Sequence, residues 1–280
     1  MSVEARNDAR DRFVTIEGRR YHYLEWADVP SPCLVMLHGF ASSARGTWDL
    51  AAPEFAATYR VVAIDLRGHG ESDWGPDTGY EVANYVADVE RLVADLALSP
   101  FFLVGHSMGG AVALTYAARR PQDVRRLVLV DSGARDPNTA PLPDPFGARP
   151  LRFASRADAA AFVRARLSDE AKARAIDYGF VEHEDRTVTW RSDIAGLSRS
   201  RQRPDPLRQG GFWAEIEALR CPTLVLRAGR SGRIRPHNAT RMERTNPLLR
   251  VVEYPEAGHW LHKDEPERFF ADVSEFFATD

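Results

Sequence analysis

The sequence predicts an α/β fold: a mainly parallel, doubly wound sheet with an inserted helical cap. Three observations carry this reading. Short apolar runs alternate with helical patterns along most of the 280 residues. Most of those runs are nearly continuous in apolar character, as expected of parallel strands covered on both faces. The alternation breaks once, between Ala134 and Phe212, and then resumes.

The elements follow in chain order. Residues 13–16 and 20–25, joined by Glu17-Gly18-Arg19, read as a hairpin on the sheet edge. Core strands are expected at 33–37 (CLVML), 61–65 (VVAID), 101–105 (FFLVG), 127–131 (LVLVD), 223–227 (TLVLR) and 250–254 (RVVEY). Helices are expected at 48–57, 80–96, 108–119, 236–245 and 266–277. Such a βαβ series implies right-handed crossovers and a mainly parallel sheet. Residues 136–150 carry five prolines and little periodicity. Arg-rich helical segments follow at 157–166, 170–178 and 187–198. Residues 135–212 therefore read as a helical cap inserted into a core made of 1–134 and 213–280.

Composition excludes several classes. The chain is 44% hydrophobic and 28% charged, with a formal net charge of -3, which argues against a general affinity for nucleic acid or acidic membranes. No run of about 18 apolar residues occurs, so no membrane span is expected. Residues 1–12 lack the apolar stretch of a signal peptide. The two cysteines, Cys33 and Cys221, sit at the start of apolar runs and read as buried free thiols. They fit a reducing compartment, and a cytoplasmic protein is expected. The sequence is compatible with a homodimer.

The chemistry centres on Gly105-His106-Ser107-Met108-Gly109-Gly110, which follows an apolar strand and opens a helix rich in small residues. That is the setting in which G-x-S-x-G forms a tight strand–turn–helix with an exposed, strained serine. Ser107 is the expected nucleophile. A nucleophilic serine needs a base. Among eight histidines, His259 lies just after the last strand and before the terminal helix, in a loop at the carboxyl edge of the sheet. It is preferred over His262. An oxyanion hole needs two backbone donors. The Met108 amide, directly after the nucleophile, and the Phe40 amide, in the loop Leu37-His38-Gly39-Phe40, are the candidates. His38 is read as bracing that loop. Phe40, Met108, Trp260 and Trp48 lie in or near the site loops and are expected to line the substrate pocket.

These segments, together with Asp65-Leu66-Arg67-Gly68-His69-Gly70-Glu71-Ser72, resemble the α/β-hydrolase superfamily. The resemblance is to its cap-bearing esterases and lactone or carbon–carbon-bond hydrolases. It covers most of the core and is specific for fold, not for substrate; the cap matches no motif. One departure stands out. The family usually places its acid in the loop after the strand at 223–227, which here reads Gly229-Arg230-Ser231-Gly232-Arg233-Ile234-Arg235-Pro236. Gly232 occupies the expected position, and no carboxylate lies between Glu217 and Glu243. Some superfamily members carry the acid at the end of the preceding strand, which here is Asp131, the residue expected to orient His259 and stabilise its protonated form. An aspartate there also serves as a loop cap. Arg230, Arg233 and Arg235 either pair with surface acids or meet a substrate carboxylate.

The resemblance implies a serine hydrolase acting on a small-molecule ester or lactone through an acyl-enzyme on Ser107, with no cofactor and no metal. The same residues could serve diketone hydrolysis or cofactor-free perhydrolysis, or line the pocket of a low-turnover ligand receptor. Dehalogenase and epoxide hydrolase chemistry would need an aspartate where Ser107 stands.

Overall fold

A computed structural model describes residues 9–26, 32–76, 79–137, 149–165 and 178–279. Eight strands form one sheet in the order β1-β2-β4-β3-β5-β6-β10-β11. They are β1 (Arg10–Ile16), β2 (Arg19–Trp26), β3 (Cys33–Leu37), β4 (Arg60–Ile64), β5 (Phe101–His106), β6 (Val124–Val130), β10 (Thr223–Ala228) and β11 (Leu249–Tyr254). From β4 to β11 every neighbouring pair is parallel. Only β2 runs against its neighbours β1 and β4. The β1–β2 hairpin turns at Glu17 and Gly18, both at positive φ (50° and 76°), as a two-residue turn matched to strand twist requires.

Alternation within β3 shows why the strands read as unbroken apolar runs. Val35 and Leu37 face a cluster with Val89 and Val112, from the helices Val82–Asp95 and Met108–Arg119. Leu34 and Met36 face the opposite cluster with Trp48, Phe55, Phe269 and Phe277. Both faces are covered, so neither set of alternating side chains can be polar.

The helix expected at 48–57 is two short ones, Ala44–Trp48 and Ala52–Phe55. The first begins earlier because Ser43 caps it, accepting a hydrogen bond from the Gly46 amide at 3.0 Å. Pro53 cannot donate an amide bond and opens the second.

Between β6 and β10 the chain forms helices, as expected, and also a small antiparallel sheet in the order β7-β9-β8. Its strands are β7 (Arg152–Phe153), β8 (Phe180–Glu182) and β9 (Val188–Trp190). The stretch 187–198 is thus a strand followed by the helix Ile194–Arg201, not one helix. In β9 the buried Val188 and Trp190 flank a more exposed Thr189, a period of two that suits a strand. Phe153, Phe180, Val188 and Trp190 pack with Ala159, Val163 and Ile194 into a third cluster of their own. The helix expected at 157–166 spans Arg156–Arg164, while nearly all of the one at 170–178 falls outside the described residues.

The insert rests on the loop after β4. Tyr80 donates to the Asp193 carboxylate at 2.9 Å, the Asp193 amide donates to the Gly68 carbonyl at 2.9 Å, and Arg191 pairs with Glu71 at 3.2 Å.

Candidate active site

Ser107 sits between β5 and the helix Met108–Arg119, at φ 54° and ψ -113°. A non-glycine residue holds such angles only where its surroundings impose them. The surroundings here are backbone. A Cβ at Gly105 would lie 2.5 Å from the Gly109 carbonyl oxygen, and one at Gly109 would lie 2.4 Å from that of Leu37. A Cβ at Gly110 would meet the Ser132 side chain at 2.4 Å. The Ser107 amide donates to the Val130 carbonyl at 3.0 Å, and Ser132 Oγ donates to the Ser107 carbonyl at 2.8 Å. Strand, turn and helix are locked together, and the hydroxyl projects at the carboxyl end of the sheet.

His259 reaches that hydroxyl from the loop after β11. Its Nε2 lies 2.9 Å from Ser107 Oγ, and its Nδ1 lies 2.7 Å from Asp131 Oδ2. With Nδ1–H donating to the carboxylate, Nε2 is left to accept the serine proton. The loop is held twice. Gly258 donates its amide to Asp264 at 2.7 Å, and the His259 carbonyl accepts from His106 Nε2 at 2.9 Å. Burial drives the His106 imidazole well below its usual pKa, so the ring is neutral and suited to that bond.

Asp131 follows β6 directly, at φ 43°, with its side chain 0% exposed. Burial pushes its carboxyl up to about 6; a Ser231 hydrogen bond, the Ala228 amide, and the charges of Arg233 and Arg227 pull the other way. Its Oδ1 accepts from the Ala228 amide at 3.1 Å. Ala228 and Ser231 belong to the end of β10 and the loop beyond it, where the family's acid is customary. In this chain that loop solvates the carboxylate instead of supplying one. Gly232 itself sits at φ 68° with open space where a side chain would project.

Met108 is the first residue of its helix, so its amide has no acceptor within that helix. The loop carrying Phe40 lies against the nucleophile: a Cβ at Gly39 would be 3.4 Å from Ser107 Cβ. The Met108 and Phe40 side chains are half-buried and pack on the core. Trp260 is also half-buried, stacked on His262 at 6.2 Å and edge-on to His106 at 5.8 Å. Met108 follows Ser107, Trp260 follows His259, and the Phe40 loop packs on Ser107, so each belongs to a segment at the site.

Trp48 does not. It is 0% exposed, packed among Ala44, Phe55 and Phe269 on the far face of the sheet, with its ring 5.0 Å from that of His262. Because its helix starts at Ala44, this indole becomes a core side chain and cannot line a pocket. His262 is buried as well, its ring 4.8 Å from that of His106.

The bracing residues behave as their loop positions suggest. His38 donates from Nδ1 to the Gly39 carbonyl at 2.8 Å and accepts the Leu66 amide at Nε2 at 3.0 Å. Asp65 accepts from the Ala44 amide at 2.6 Å and the Glu71 amide at 2.9 Å, and lies 2.6 Å from His22 Nδ1. Arg67 is buried against Asp88. Arg230 pairs with Glu256, and Arg235 lies 3.4 Å from Asp136. The sequence carries no separate signal for His106, Ser132 or Ser231, whose contacts depend on strands distant in the chain. Nor does it point to Arg201 and Arg149, whose guanidiniums lie over the Phe40 ring at 4.8 and 5.9 Å. Among the described residues, no group of three His, Cys, Asp or Glu side chains is placed to hold a metal ion. No described helix is long and apolar enough to cross a membrane.

Comparison with known proteins identifies the fold family. A family model for the alpha/beta hydrolase fold matches residues 32–266. The sn-1-specific diacylglycerol lipase ABHD11 of Mus musculus is 31% identical over 265 residues, 92% of this chain and 84% of the lipase. N-formylmaleamate deformylase of Pseudomonas putida is 30% identical over 94% of each chain. Among solved structures, the thioesterase domain from the curacin biosynthetic pathway is similar with a TM-score of 0.80 and 24% identity, over 96% of this chain and 100% of that one. E-2-(acetamidomethylene)succinate hydrolase is similar with the same score and identity, over 97% and 100%. At such identity these two speak for the fold alone.

Proposed function

The chain belongs to the alpha/beta hydrolase fold family, and from that premise we propose that it is a serine hydrolase cleaving a carboxylic ester or lactone through an acyl-enzyme on Ser107. One observation carries the reading. A continuous hydrogen-bonded chain runs from Ser107 Oγ through His259 to the buried Asp131. Nucleophile, base and orienting acid are the three parts that acyl transfer from a weakly acidic hydroxyl needs. The two relatives above are named as a lipase and a deformylase, both acyl-cleaving activities.

His259 Nε2 takes the Ser107 proton as Oγ attacks the acyl carbonyl. Asp131 holds Nδ1–H and stabilises the imidazolium that forms. The developing oxyanion meets the Met108 amide, at a helix N-terminus, and the Phe40 amide beside it. His259 then protonates the leaving oxygen. Water, deprotonated by the same nitrogen, hydrolyses the acyl-enzyme and returns Ser107.

Incubation with a short p-nitrophenyl ester tests this. Wild type should release nitrophenol and carry an acyl mass on Ser107, and Ser107→Ala should do neither. Equal rates in the two proteins would exclude the reading.

A further inference from the structure

Resting on the reading of His259 as the base, we propose that His106 is a positioning residue for the reaction: its imidazole ties the base loop to the nucleophile strand and so sets the approach of His259 to Ser107. Two connections make the link short. His106 ends β5 and is bonded covalently to Ser107. Its Nε2 donates to the His259 carbonyl at 2.9 Å. Ser107 and His259 stand 152 residues apart in the chain, yet this one side chain spans from the residue before the nucleophile to the backbone of the base. The bonds at the neighbouring residues of the base loop run elsewhere. Gly258 donates to Asp264 at 2.7 Å, and the Ala257 amide donates to the Tyr254 carbonyl, at the end of β11, at 3.2 Å. The same imidazole backs the oxyanion loop, where a Cβ at Gly39 would lie 2.8 Å from His106 Nδ1. One ring therefore meets the nucleophile strand, the base loop and the oxyanion loop.

Filling space does not account for an imidazole here. Position 106 is the first variable place in G-x-S-x-G, and the turn makes no demand on its side chain. The residue is 2% exposed, with its ring 4.8 Å from that of His262 and edge-on to Trp260 at 5.8 Å. A leucine would occupy such a place without burying polar atoms. The imidazole buries two nitrogens, and Nδ1 has no hydrogen-bond partner among the described residues. An unpaired buried polar atom is unfavourable. His106 carries that cost, and the bond it gains is the one to His259.

The charge state suits the role. A carbonyl can only accept, so Nε2 carries the hydrogen. Burial first, and then the charges of His259, Arg233 and His38, hold the ring well below its usual pKa. The His106 and His259 rings lie 4.6 Å apart. A neutral His106 adds no repulsion when His259 becomes an imidazolium.

The test exploits reach. Glutamine can place its amide nitrogen near the position of a histidine Nε2, and asparagine only near that of Nδ1. On a short p-nitrophenyl ester, His106→Gln should retain most of kcat. His106→Asn and His106→Leu should each lower kcat about 10²-fold, the order expected when a catalytic group is misplaced by about 1 Å, with KM little changed. Thermal midpoints establish that each variant is folded, and the Gln–Asn pair carries the comparison where His106→Leu does not fold. Equal kcat in all variants, a loss confined to KM, or a loss in His106→Gln matching that in His106→Asn would overturn the assignment.

Proton NMR separates this role from the hydrolase reading. The His259 Nδ1–H held by Asp131 should give a low-field resonance without substrate, identified by its loss in Asp131→Asn. If wild type turns over no ester, the hydrolase reading fails and the resonance decides alone. Retention in His106→Gln with loss or broadening in His106→Asn upholds the positioning role. An unaltered resonance in His106→Asn overturns it.

Discussion

At Asp131 one side chain does two things that pull against each other. Its carboxylate must be ionised to hold the His259 Nδ1–H, yet its burial favours the neutral form and lifts its pKa to about 6 from an ordinary 3.8. The consequence for activity has a definite sign. As pH falls through about 6, Asp131 gains a proton and Nδ1–H loses its charged acceptor, so kcat/KM should decline on the acid side. The apparent value in a pH–rate profile belongs to the Asp131–His259 pair. Stability runs the other way. The folded chain holds this proton more tightly than the unfolded chain. The stability it contributes is therefore full below about 3.8 and is lost as pH rises through about 6. Urea titrations at several pH values should show that slope in wild type and its absence in Asp131→Asn. The same substitution should lower kcat on the order of 10⁴-fold by favouring the wrong imidazole tautomer. Turnover within tenfold of wild type would remove Asp131 from the mechanism.

The turn from β5 into its helix is the element on which the site depends, and its glycines are steric necessities. A methyl group at Gly109 would lie 2.4 Å from the Leu37 carbonyl and 2.5 Å from that of His38, both backbone atoms that cannot swing away. Gly109→Ala should cost about 1–3 kcal/mol in chemical denaturation, because helix and strand must separate to admit it. Activity should fall with it, since Ser107 and the Met108 amide move as one unit. This element was legible from local sequence, because the clash that demands glycine occurs within a few residues and against the adjacent strand. The element around Trp48 was not. An aromatic just after a site loop can face pocket or core equally well. Ser43 decided the matter by starting the helix at Ala44, which turns the indole under the sheet.

At the scale of the whole molecule, Tyr80 is central among the described polar contacts between the insert and the core. Its hydroxyl donates to Asp193 at 2.9 Å and accepts from the Gly75 amide at 2.9 Å. Tyr80→Phe should cost about 1 kcal/mol for each hydrogen bond lost. Hydrogen exchange should accelerate first in residues 188–194, with β5 protected, since Val188, Trp190 and Ile194 pack in the third hydrophobic cluster and not in the two that sandwich the sheet. Uniform acceleration would instead mean that insert and core open as one cooperative unit.

The sequence by itself determined the fold class, the strand series and the placement of Ser107 and His259. All of these rest on short-range signals: apolar runs, glycines demanded by one turn, and a histidine in the loop after the last strand. Only the tertiary structure decided the rest. Asp131 meets His259 across 128 residues of chain. The loop that lacks an acid at Gly232 contributes the Ala228 amide and Ser231 to Asp131, because β6 and β10 are neighbours in the sheet. Arg149 and Arg201 reach Phe40 from an insert with no recognisable motif. Such contacts depend on how sheet order and insert packing superpose distant segments, and no local pattern of residue types encodes that superposition.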